Sequence, residues 1–167
     1  MQYLIGLLLA CCCLYDYSCR KIPNYLIALL GGCILLHIFS EGDMWTMAAF
    51  LGGSALTVAA AWPLYAIGTI GAGDVKLVAV MCGFAGDGLL LFLFVTFAAA
   101  AAVSLGKMCF YGNARKRFSA LVQFAAECAL AGRLLPYSEE LRERRTTVCM
   151  AGPVLLGYLI MMKGVFI

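Results

Sequence analysis

Gly71-Ala72-Gly73-Asp74-Val75-Lys76-Leu77 sets a carboxylate between a glycine-rich turn and an apolar run. With Gly68, the stretch to Gly73 holds three glycines in six residues, a poor helix interior because glycine loses the most backbone freedom on ordering. The apolar run Trp45 to Ile67 therefore stops before it, and a short helix from Asp74 to about Phe84 follows it. An ionisable side chain at the edge of such a run is costly at membrane depth, which makes it a functional candidate once a partner is named. The candidate partner is Asp16.

The surrounding composition makes membrane depth the right frame. The 167 residues are 64% hydrophobic and 13% charged, against about 25% charged in an ordinary soluble domain. The mean hydropathy is +0.96. The expected fold class is all-α: a polytopic membrane bundle of about six transmembrane helices forming one domain over 1–167, since a span needs roughly 20 residues. The expected spans are Met1 to Leu14, Tyr25 to Phe39, Trp45 to Ile67, Asp74 to about Phe84, Leu89 to Phe110 and Thr146 to about Met162. Pro23 fixes its own backbone angle and biases Ile22 away from helix, so the second span starts near Asn24. Gly152-Pro153 reads as a break inside the last span, tolerated where protein or water satisfies the freed backbone. Met1-Gln2-Tyr3 has no basic character and Arg20-Lys21 follows the first apolar run, the reverse of a secretory signal's charge order.

From Tyr111 to Arg145 the character changes. Seven basic residues alternate with apolar ones such as Phe118, Leu121, Val122 and Phe124, the pattern of an amphipathic cytoplasmic segment lying on the bilayer. Arg142, Arg144 and Arg145 are its candidates for binding anionic lipid.

Charge also orients the chain. Arg20, Lys21, Lys76, Lys107 and the 111–145 stretch hold eleven of the twelve basic residues, whereas the turns at Glu41, Asp43 and Asp87 carry acids alone. By the positive-inside rule the first, third and fifth connections face the cytoplasm. Asp16 and Asp74 then share one membrane face.

Two carboxylates that meet in a low-dielectric site repel one another and share a proton, which makes one a base and the other an acid. That pair suits amide hydrolysis, with the base activating water and the acid supporting the oxyanion. Gly71 and Gly73 let a substrate backbone approach because no Cβ intervenes. Lys76, two residues from Asp74, does not share its helix face and reads chiefly as a headgroup or topology charge. Against this stands a plainer reading, in which Asp16 ends the first helix in water and Asp74 caps the fourth.

Other chemistries have less support. The nine cysteines include no Cys-x-x-Cys pair, so no thiolate zinc site is expected and most serve as small buried hydrophobes. His37 is the single histidine and falls at the opposite face, leaving no serine-histidine or cysteine-histidine couple. Gly71 to Lys76 lacks the third glycine and preceding strand of a phosphate loop.

Asp16 followed by Ile22-Pro23-Asn24, and then Gly71 through Leu77, resembles the type IV prepilin peptidases, members of the Gly-x-Gly-Asp intramembrane aspartyl proteases. The resemblance runs from Met1 to about Phe110. It implies that Asp16 and Asp74 are the catalytic aspartates, with Gly71, Gly73, Lys76, Pro23 and Asn24 shaping the site or binding substrate, and with no metal or other cofactor. It further implies a prepilin or pseudopilin substrate whose short basic leader is cut at the cytoplasmic face of the bacterial inner membrane, and partners in the pilus or type II secretion machinery; no nucleic acid is expected. Larger members carry an N-terminal cytoplasmic domain with zinc-binding cysteine pairs and also methylate the product. The first connection here spans only Tyr15 to Asn24, which implies peptidase without methyltransferase activity. Ala151-Gly152-Pro153 loosely matches a proline-containing motif of the family's final span, and 111–145 maps onto nothing. The competing class is a membrane scaffold or proton-coupled transporter-like protein that uses Asp16 and Asp74 structurally or as a relay.

Overall fold

The computed structural model describes residues 1–42, 44–68, 70–111 and 149–165, together with Ser119, Val122, Gln123 and Leu130. The rest of the basic segment 111–145, including Arg142, Arg144 and Arg145, lies outside the described residues.

The described residues form six α-helices and no strand. They are α1 (Gln2–Cys19), α2 (Asn24–Glu41), α3 (Met44–Ala66), α4 (Ala72–Ala85), α5 (Leu89–Tyr111) and α6 (Ala151–Val165), with a single 3-10 turn, Gly86–Gly88, between α4 and α5. Helices α1, α2, α3 and α5 are long and apolar enough to cross a membrane. The other two have 14 and 15 residues, or about 21 to 23 Å at 1.5 Å per residue.

These two short helices are the most enclosed. Helix α4 packs against α2, α3, α5 and α6, while α6 also receives α1 and α5. Central position explains why α4 buries Val75, Leu77, Val78, Ala79, Met81, Cys82 and Ala85 on more than one side, whereas α3 buries only Phe50. A helix hydrophobic all round belongs inside, and the outward surfaces of α3 and α5 suit lipid.

Glycines set the closest crossings. A Cβ on Gly83 of α4 would meet Ser54 Oγ and would stand 2.5 Å from the Phe50 carbonyl oxygen of α3. A Cβ on Gly157 of α6 would meet Thr96 Oγ1 and lie 3.2 Å from the Phe92 carbonyl oxygen of α5. The two crossings thus repeat one pattern, a phenylalanine and a hydroxyl residue four positions on against a facing glycine. Ser54 Oγ and Thr96 Oγ1 are buried with no hydrogen-bond partner among the described residues; each faces a glycine Cα, where weak Cα–H···O contact is available.

The antiparallel register of α1 and α6 is pinned at both ends. The Tyr158 hydroxyl donates to the Gln2 carbonyl at 2.8 Å, and Gly152 stands opposite Cys13. One end of the bundle therefore gathers the α1–α2 turn, the start of α4 and the start of α6. The other holds the α2–α3 turn, where His37 lies 3.6 Å from Glu41.

Two boundaries differ most from the sequence reading. Helix α1 runs to Cys19 instead of stopping near Leu14, because backbone hydrogen bonding continues through polar side chains when one face stays buried. Helix α6 starts at Ala151, so Gly152-Pro153 lies in its first turn and does not interrupt it. Proline is tolerated there since the first N–H groups of a helix have no partner within it.

Candidate active site

The buried residues of α1 are Ile5, Leu9, Cys12 and Asp16. Their spacing of four, three and four is one helical stripe, so Asp16 occupies a position where the pattern calls for an apolar side chain. It is 6% exposed. A negative charge in the last turn of its own helix is disfavoured by the helix dipole, and the compensation comes from another element. The backbone N–H of Ala151, first residue of α6, donates to Asp16 Oδ2 at 3.2 Å, at a helix N-terminus where anions are favoured.

The Asp16 backbone is held as well. Its carbonyl accepts the N–H of Arg20 at 2.9 Å and the Cys149 thiol at 3.7 Å. Arg20 closes α1 in the left-handed region, φ 51 and ψ 28, a conformation that only glycine adopts without cost.

Asp74 belongs to the first turn of α4. Gly71, the N-cap, is extended (φ −73, ψ 146), and the Asp74 carboxylate folds back over it: a Cβ on Gly71 would lie 3.2 Å from Asp74 Oδ2. Gly73 faces Ile22, with its would-be Cβ 3.4 Å from Ile22 Cβ. Pro23 is the extended N-cap of α2 (φ −68, ψ 138). Asn24, the next residue, accepts a hydrogen bond from Lys76 Nζ at 3.1 Å. The residues singled out in the two sequence motifs thus lie at one end of the bundle.

Cys149 connects them electrostatically. Burial pushes its thiol above the ordinary range, the Asp16 carboxylate adds to this, Lys107 and Arg20 pull it down, and Asp74 raises it again. Both carboxylates and two cations therefore bear on one thiol at the start of α6. Among the described residues no three His, Cys, Asp or Glu side chains are grouped to hold a metal ion.

The family model for the type IV leader peptidase family matches residues 3–105, well over half of the chain. The chain belongs to that family. Neither the comparison with curated proteins nor that with solved structures gives a match. As a type IV leader peptidase the protein is a protease built on membrane-spanning helices. The matched region contains Asp16 and the whole stretch Gly71 to Leu77, and it ends before Lys107, Cys149 and Ala151.

Those last three residues, with Arg20, were not among the site residues expected from sequence. Ala151 carried a usable signal, because a proline two residues on marks a helix start as readily as a break. Cys149 carried none.

Proposed function

We propose that this leader peptidase is an aspartic endopeptidase in which Asp16 and Asp74 act as a pair on one water molecule. The observation that supports it is that Asp16, buried in the last turn of α1, and Asp74, in the first turn of α4, stand at the same end of the bundle, where Gly73 packs against Ile22 and Lys76 bonds Asn24. The ionised member takes a proton from water, whose oxygen bonds to the scissile carbonyl carbon. The protonated member supports the resulting oxyanion, and the C–N bond then breaks as the leaving amine takes up a proton.

The substrate in this reading is a prepilin or pseudopilin, cut between its short basic leader and the hydrophobic helix that follows. The distribution of basic residues supports a cytoplasmic-facing site in a bacterial inner membrane, with the pilus or type II secretion machinery receiving the product. The short α1–α2 turn supports peptidase activity without N-methylation.

Purified protein and a synthetic prepilin-like peptide test this. Asp16→Asn and Asp74→Asn should each abolish cleavage while the protein still inserts and melts as the parent does. Retained cleavage in either variant would exclude the pair mechanism.

A further inference from the structure

Two contacts fasten the Asp74 stretch to the turn that follows Asp16. Gly73 packs against Ile22, where a Cβ would lie 3.4 Å from Ile22 Cβ and 3.6 Å from the Ile22 carbonyl oxygen. One turn along the same side, Lys76 Nζ donates to Asn24 Oδ1 at 3.1 Å. Pro23 stiffens the receiving end, since its ring fixes φ immediately before Asn24. Lys76 is two residues beyond Asp74, about 200° around the helix, so its ammonium leaves the carboxylate's side of α4 and reaches across to the first residue of α2.

The bond is exposed, and an exposed contact of this kind adds little to folding stability. Its geometric effect is larger. The link joins the start of α4 to the start of α2, while α2 is joined to the end of α1 by only the four residues Arg20 to Pro23. Any slack between α2 and α4 becomes slack between Asp16 and Asp74.

We infer that Lys76 is a positioning residue: held by Asn24, it sets the first turn of α4, and with it the Asp74 carboxylate, against the turn that follows Asp16. This rests on the two-aspartate reading given above. Lys76 acts through Asn24 and not on the reacting atoms.

The test measures kcat, KM and Tm for the full chain in detergent with the same prepilin-like peptide. Lys76→Ala and Asn24→Ala should each lower kcat by about tenfold, since misplacement on the order of 1 Å costs up to about 100-fold. KM and Tm should barely move. The double variant should be no slower than the worse single one, as expected for two ends of one contact, and Asn24→Asp should keep activity because a carboxylate also accepts from the ammonium. Asn24→Ala separates tether from charge, because it keeps the ammonium. Full activity in Asn24→Ala with loss in Lys76→Ala overturns the inference, as do additive losses, unchanged kcat in both, or a fall in Tm that tracks kcat. If the parent protein cleaves and Asp16→Asn does not, these outcomes fall on Lys76 alone. A parent that leaves the peptide intact overturns the peptidase reading and this inference with it.

Discussion

The backbone N–H of Ala151 reaches Asp16 Oδ2 over 3.2 Å, so the first residue of the last helix holds an acid in the last turn of the first. Replacing Ala151 by proline removes that donor while leaving the rest of α6 able to form, because the first helical position makes no intrahelical N–H bond. A buried carboxylate that loses a hydrogen bond costs about 1–3 kcal/mol. Ala151→Pro should therefore lower Tm in a thermal melt and reduce peptide cleavage, whereas Ala151→Ser, which keeps the N–H, should do far less of either.

Cys149 offers a reporter of both carboxylates. Burial and the Asp16 charge hold its thiol up, with Asp74 acting in the same direction and Lys107 and Arg20 opposing. The thiolate is the species that alkylates. Asp16→Asn should therefore shift the pH midpoint of Cys149 alkylation downward, Asp74→Asn should shift it less in the same direction, and Lys107→Gln should shift it upward. Iodoacetamide labelling across a pH series, with the adduct located by mass spectrometry, reads all three. An Asp74→Asn midpoint identical to that of the parent would separate Asp74 from the site.

At Gly71 the expected defect is catalytic. A methyl group there would stand 3.2 Å from Asp74 Oδ2, close enough to displace the carboxylate by a few tenths of an ångström. Gly71→Ala should cut kcat by about tenfold and leave Tm near that of the parent. Peptide turnover at saturating substrate, together with a melt, distinguishes this from a folding defect.

The helix crossings predict the opposite division. Gly83→Ala drives a methyl group into the Phe50 carbonyl and Ser54 of α3, and Gly157→Ala does the same to Phe92 and Thr96 of α5. Each should destabilise by about 1–3 kcal/mol, the usual cost of overpacking. Gly32 meets nothing within 4 Å, so Gly32→Ala should be neutral or stabilising by up to about 1 kcal/mol from helix propensity. Thermal melts of the three variants in one detergent check the contrast.

Much of this arrangement is legible along the chain. The glycines at 68, 71 and 73 end one helix and open the next, and the structure starts α4 at Ala72, two residues before the expected Asp74. Helices α2, α3 and α5 fall within two residues of the expected limits at each end, because apolar runs bounded by turn residues carry their own boundaries. The end of α1 was harder to see. Asp16-Tyr17-Ser18 looks like an exit into water, yet Asp16 continues the stripe of Ile5, Leu9 and Cys12. Periodicity would have shown its burial where composition did not.

The sequence by itself determined the class of molecule, the order of its helices and the place of each acid near a helix end, since these follow from local apolar patterning, glycine and proline. Tertiary structure alone decided what meets those acids. That Ala151 donates to Asp16, that Cys149 feels both carboxylates and that Lys76 reaches Asn24 all depend on how α2, α4 and α6 are rotated and set in depth against α1. Those rotations come from side-chain packing between residues far apart in the chain, such as Tyr158 against Gln2 and Gly6, and no local pattern encodes them.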